Sequence, residues 1–260
     1  MTSGIDGLEL SQEFGWRSGL APLMRAGFGS WWTTKEWWIN ALIWTVVING
    51  SVAVAVWGDA PDGLSAYTLY GVMTMFAAIA VAILMQDAIV GEKLNGTAAW
   101  VLSKPASRTA FMLSKLVPNA VGVIATMIAI PSAVFMVQLA VADIGTSADR
   151  FILGAAVAAL NLMFYLTLTL MLGTLFNSAA PVIAIPLAFA FGQQLLGGIP
   201  GLSRFLPWTL VVPSDGSDTS VVSAVITGET IETPGAIAVA TIACIAFTIV
   251  AFRTWNRTEL

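Results

Sequence analysis

Six long apolar stretches alternate with polar intervals along the chain, at residues 37–57, 64–85, 116–141, 151–176, 179–196 and 236–252. Each reaches the roughly 17–25 residues a helix needs to cross the hydrocarbon of a bilayer. Backbone polar groups in lipid must be satisfied within such a segment, so the pattern predicts an all-α, polytopic membrane protein with six transmembrane helices. The interval GDAPDG after the first stretch reads as a short acidic turn, making the first two spans a hairpin. ADIGTSADR separates the third and fourth spans, and FNSAAP joins the fourth to the fifth. Pro118 and Pro131 are expected to bend the third span, and Pro181 and Pro186 fall in the first half of the fifth.

Two intervals are longer. Residues 197–234 hold GGIPG, FLPW, VVPSDGSD and ITGETIETPG, too many turn residues for one helix, and are expected as an outer loop. Residues 202–212 within it are amphiphilic, which suits a short interfacial or re-entrant helix. At the other end, residues 1–15 read as a polar, acidic lead of little order. Residues 16–36 then mix Arg17, Arg25 and Lys35 with Leu20, Leu23, Met24, Phe28 and paired tryptophans, which suits a helix lying in the headgroup plane. Gly27 and Gly29 weaken that helix, and a juxtamembrane loop is the alternative.

Composition agrees with the pattern. The 260 residues are 57% hydrophobic and 10% charged, with a mean hydropathy of +0.84, far from the roughly half-apolar, quarter-charged soluble average. Trp31, Trp32, Trp37 and Trp38 crowd one end of the first span and Trp57 closes the other, as in interfacial belts. The net charge of −4 says little, because the charges are sorted by side. Nine of the eleven basic residues fall on one side: Arg17, Arg25, Lys35, Lys93, Lys104, Arg108, Lys115, Arg253 and Arg257. Only Arg150 and Arg204 fall on the other. The positive-inside rule then places both termini and the 86–115 interval in the cytosol, in a plasma or inner membrane. No basic segment precedes an apolar stretch near the N-terminus, so no cleaved signal peptide is expected.

Composition also excludes chemistry. There is no histidine, and the one cysteine, Cys244, lies in an apolar stretch, which removes histidine-zinc, Cys-His and Ser-His-Asp catalysis and any disulfide framework. No catalytic residue and no metal site are expected. None of the four lysines follows a glycine, so the phosphate loop GxxxxGK[ST] is absent and energy must come from a partner. No span carries a carboxylate at its centre, which weighs against an ion-coupled secondary transporter. The mid-span polar residues are neutral: Asn49, Asn119, Gln138, Asn161, Gln193 and Gln194. Their ordinary role is interhelical hydrogen bonding; Asn161, Gln193 and Gln194 are the candidates to line a translocation path.

The interval between the second and third spans reads DAIVGEKLNGTAAWVLSKPASRTAFMLSK from Asp87 to Lys115. Gly91 and Gly96 are expected to loosen it, Thr97 to cap a short helix over 98–102, and Pro105 to end that helix before Ser107 caps the next span. Glu92, Gly96-Thr97, Trp100-Val101-Leu102, Pro105-Ala106-Ser107-Arg108 and Lys115 together resemble the type-2 permeases of ATP-binding-cassette (ABC) transporters.

The resemblance implies a membrane subunit that does no bond chemistry, most simply an exporter. In it residues 16–36 would be the elbow helix and 91–104 the coupling segment. Gly91, Glu92, Lys93, Thr97, Trp100, Lys104, Pro105 and Arg108 would then engage the ATPase. The implied partners are two copies of an ABC ATPase subunit, a second permease copy, identical or related, and membrane lipid, with no nucleic acid. The chain would bind no cofactor, ATP and Mg2+ residing on the ATPase. The alternatives are an ion-coupled secondary transporter or channel, or an intramembrane enzyme.

Overall fold

A computed structural model gives the fold and describes residues 15–58, 65–197, 199, 201–213 and 219–258. The expected acidic lead, most of the first hairpin turn and part of the 197–234 interval lie outside the described residues. Among the described residues the chain is helical, without strands. A single turn at Gly15–Arg17 precedes α1 (Leu20–Trp32). α2 (Glu36–Trp57) and α3 (Ala66–Leu94) follow, then the six-residue α4 (Thr97–Leu102). α5 (Arg108–Ile124) and α6 (Ile130–Val141) form one continuous span of 34 residues. α7 (Ala148–Leu175), α8 (Ala179–Gly197), the short α9 (Val221–Thr227) and α10 (Pro234–Arg257) complete the chain. Among the described residues six helices are long and apolar enough to cross a membrane: α2, α3, α5–α6, α7, α8 and α10.

Helix starts follow local chemistry. Ser65 Oγ accepts the Thr68 N–H at 3.1 Å, Ser107 Oγ that of Ala110 at 2.9 Å, and Ser220 Oγ that of Ser223 at 3.2 Å, each using one of the first unpaired donors of its helix. The join between α5 and α6 is a turn of π-helix over Ala125–Ala129. Pro131 has no N–H to donate, and just ahead of it the ladder is wider, with Ile130 N–H bonded to Ala125 O. The third span is thus articulated where a proline bend was expected. Pro118 is accommodated inside α5.

α7 is the centre of the bundle, packed chiefly against α3 and α10, with an unbroken buried run from Phe164 to Leu170. α2, α8 and α10 turn apolar side chains outward, among them Val46, Leu195 and Ile242, as spans facing lipid do. At one end of the bundle Tyr70, Phe135 and Phe151 form an aromatic knot, with centroids 5.2, 5.4 and 6.0 Å apart. The buried Tyr70 hydroxyl is 2.7 Å from Ser132 Oγ.

The 197–234 interval differs most from its expected form. Two 3-10 turns, Ser203–Phe205 and Pro207–Leu210, replace the expected helix, and Leu206 through Val211 are buried. α9 is buried too, its Ile226 seated against Gly154 of α7 so closely that a Cβ there would lie 2.4 Å from Ile226 Cγ1. The physical reason is length. FLPWTLVV and VVSAVI are too short to span a bilayer, and packing onto the bundle removes them from water without exposing their backbone.

Candidate functional site

α4 sits at the end of the bundle opposite the aromatic knot, between the ends of α3 and α5. Gly96 precedes it with φ 70°, a left-handed conformation that lets the chain reverse directly after Asn95. Thr97 is therefore the first helical residue and not the cap, and α4 has no side-chain cap. Gly91 does not loosen the connector either. It lies inside α3, which runs on to Leu94, and a Cβ there would stand 2.5 Å from Asp87 Oδ1.

The eight residues assigned to this connector divide into two groups. Thr97, Trp100, Lys104 and Pro105 are exposed, together with Leu94. Trp100 is 64% exposed, Leu94 67%, and Lys104 Nζ stands 5.2 Å from the Trp100 ring centroid. Ala98, on the inner side of α4, is only 1% exposed. The short helix thus packs by one side and presents a tryptophan and a cation on the other.

Glu92, Lys93 and Arg108 turn inward, and with Gly91 they form the second group. Glu92 pairs with Lys115 of α5, and Lys115 Nζ also lies 5.3 Å from the Phe111 ring centroid. Lys93 Nζ donates to Thr174 O at 2.9 Å, Phe176 O at 3.2 Å and Asn177 Oδ1 at 3.3 Å, covering the carbonyl end of α7. Arg108 Nη1 does the same for α10, donating to Trp255 O at 3.1 Å, Asn256 O at 3.2 Å and Thr258 O. Cations at helix C-termini meet both unpaired carbonyls and the negative end of the macrodipole. Phe111, one turn beyond Arg108, stacks on the buried Trp255 at 5.0 Å and 10°.

α1 closes the assembly. Ser107 N–H donates to Ser18 O at 2.9 Å, Ser18 Oγ donates to Pro105 O, and Ser107 Oγ to Trp16 O. Gly19, at φ 73°, lies so near that a Cβ would be 2.9 Å from the Ala106 Cβ. Farther along, α1 and α5 approach through two glycines: Gly27 against Pro118 and Ser114, and Gly122 beneath the Trp31 ring. Trp31 Nε1 donates to Asn119 Oδ1 at 2.8 Å.

The neutral mid-span residues are largely consumed inside the chain. Asn49 Nδ2 donates to Pro131 O at 3.1 Å, and Gln138 Nε2 to Asn49 O at 3.3 Å. Gln193 is fully buried. Its Nε2 donates to the Tyr165 hydroxyl at 3.2 Å and its Oε1 accepts Trp208 N–H at 2.9 Å, fastening the buried 206–211 segment to α7 and α8. Asn161 is 1% exposed with Nδ2 unpaired, whereas Gln194 is exposed. The structure therefore does not bring Asn161, Gln193 and Gln194 to one surface of equal access.

Sequence reasoning missed Lys115 as the partner of Glu92 and Leu94 as an exposed apolar residue. Burial alone distinguishes these from their neighbours; the sequence carries no local signal for either.

Among the described residues, six bilayer-length helices, with a short helix between the ends of the second and third spans, define a multi-pass membrane protein. The model of the ABC-2 family transporter proteins matches residues 15–207, and the chain belongs to that family. The match runs from the turn before α1 to Pro207, just short of α9 and α10. Comparison with curated proteins finds no match. The protein is accordingly an ABC transporter permease, a family whose members associate with an ABC ATPase subunit.

Proposed function

We propose that this permease moves its substrate outward, as a pair of permease copies driven by two separate ATPase subunits, with α4 as the coupling helix and α1 as the elbow helix. One observation carries the docking assignment: Trp100 of α4 and Leu94 at the end of α3 stand exposed on a connector whose flanks are tied to α5, α7 and α10. Thr97, Trp100, Lys104 and Pro105, with Leu94, make the contact. Glu92, Lys93 and Arg108 transmit it, because they tie α4's flanks to α5, α7 and α10, with Gly91 beside them inside α3. Closure of the ATPase dimer on ATP would press on α4 and tilt those spans together, switching access between the two faces. Two copies are needed because one chain supplies one six-helix half. The orphaned Asn161 amide is the polar group best left over to line the path.

The test is retention of a co-expressed ABC ATPase on the purified permease. Leu94→Ser with Trp100→Ala should reduce co-purified ATPase at least about tenfold, the loss expected when a central aromatic anchor is removed, while leaving the permease in the membrane at normal abundance. Stoichiometric retention with normal stimulation of turnover would refute α4 as the docking element.

A further inference from the structure

The space between α1, α4 and α5 holds a cavity of about 290 Å³ on the inner side of the docking element, which Thr97 and Glu92 also line. Leu23, Gly27 and Ser30 of α1 form one wall, Phe111 and Ser114 of α5 another, and the Glu92–Lys115 ion pair is exposed to it. Both partners of that pair are about a fifth exposed, at 22% and 23%. The cavity is therefore charged on both signs yet partly sheltered.

Its hydrogen-bonding inventory is specific. Ser30 Oγ gives its proton to Gly27 O at 2.8 Å, and Ser114 Oγ gives its own to Phe111 O at 2.7 Å. Each hydroxyl has only acceptor lone pairs left to offer. Ser114 is 4% exposed, so water does little to satisfy it. With the Glu92 carboxylate, these oxygens suit a primary ammonium, which has three N–H donors to place. Lys115 carries three donors itself, of which Glu92 takes one, and the rest suit an anion. A ligand with a primary ammonium and a phosphate a few bonds apart meets both demands. A trimethylammonium would leave the acceptors unpaired, and a purely anionic group would leave Glu92 facing like charge.

Placement decides the source. Glu92 lies two residues from the end of α3, Lys115 two turns into α5, and α1, with Arg25 and its tryptophans, packs across the same end of the spans. This is headgroup depth for spans of this length. We propose that the cavity binds the phosphoethanolamine headgroup of an aminophospholipid, its ammonium on Glu92, Ser30 and Ser114 and its phosphate on Lys115. The apolar walls at Leu23 and Phe111 accept the carbons beyond.

The experiment is native mass spectrometry of the full chain released from nanodiscs of equal parts phosphatidylethanolamine, phosphatidylcholine and phosphatidylglycerol. We expect phosphatidylethanolamine to be retained about tenfold over either competitor, a discrimination of about 1.4 kcal/mol. Lys115→Met should lower retention of all three lipids alike, since each carries the phosphate, and Glu92→Gln should abolish the preference. Should that variant fail to accumulate, Ser30→Ala with Ser114→Ala decides, since it leaves the ion pair intact and should cut the preference to about threefold or less. Equal retention of the three lipids, preference for phosphatidylglycerol, or an unchanged preference in the serine variant would overturn the proposal. Binding of free phosphoethanolamine without retention of the lipid would overturn the membrane source. The serine variant should retain ATPase, so failure here and failure of α4 docking are separately visible.

Discussion

Removing the Arg108 guanidinium should fray the last turn of α10 and little else. Nη1 reaches three carbonyl oxygens, those of Trp255, Asn256 and Thr258, but a single guanidinium nitrogen carries two protons, so at most two full bonds are lost. Charge-assisted bonds are worth roughly 1.5–3 kcal/mol each when sheltered. Arg108 is only half-buried, and solvent screening brings the pair to about 1–2 kcal/mol in total. In hydrogen exchange by local opening, that corresponds to amides of residues 254–258 exchanging about 5–30 times faster in Arg108→Ala. Amides of residues 240–250 should not change, because Trp255 remains stacked on Phe111 and holds α10 against α5. Arg108→Lys keeps the charge at the carbonyl end and loses the fork, so it should show about half the effect on a free-energy scale. Unchanged exchange at 254–258 in Arg108→Ala would refute the capping role, and faster exchange along the whole of α10 would show that Arg108 holds the span and not its end.

Three further outcomes are expected. Gln193→Leu removes both bonds that fasten the 206–211 segment and leaves Trp208 N–H buried without a partner; it should cost about 2–3 kcal/mol, read as a lower unfolding temperature in detergent and new proteolysis at 206–211, whereas Gln194→Leu should cost under about 0.5 kcal/mol. Gly122→Ala places a Cβ 2.3 Å from the Trp31 ring, so the indole must leave Asn119; this should cost about 1–3 kcal/mol and abolish a disulfide crosslink engineered across α1 and α5 in a Cys244→Ala background. In that same background, single cysteines at Asn95, Thr258 and Glu229 should divide by side, with an impermeant thiol reagent on intact cells labelling only Glu229→Cys; labelling at Asn95 would invert the orientation and put α4 out of reach of any ATPase.

The bundle was legible because hydropathy integrates over about 20 residues, and no soluble alternative tolerates six such runs. Ser107 as a cap and Pro131 as a weak point were legible for a different reason, since each acts on its own few residues. The inward roles of Lys93 and Arg108 were not, because their acceptors lie 81 to 150 residues away and a cation in a connector looks the same whether it faces water or a helix end. The pairing of Glu92 with Lys115, 23 residues on, was hidden likewise, because it needs α3 and α5 to lie side by side. α9 went unread although its signal was local: Ser220 before VVSAVI and Gly228 after it mark a capped short helix. The surrounding turn residues hid it, and burial of so short a helix depends on Gly154 of α7, which nothing in the 197–234 interval announces.

The π-turn at Ala125–Ala129 gives the third span the geometry of an unequal seesaw. The 17 residues of α5 make an arm of about 26 Å and the 12 residues of α6 one of about 18 Å. A push of about 1 Å at the α4 end would rotate a stiff rod about that fulcrum by roughly 2° and swing the far tip about 0.7 Å the other way. That far arm carries Phe135 and Ser132, which hold Tyr70 of α3, so the two ends of the bundle are mechanically opposed. Loosening the π-turn into a compliant joint should leave both arms folded and each deaf to the other.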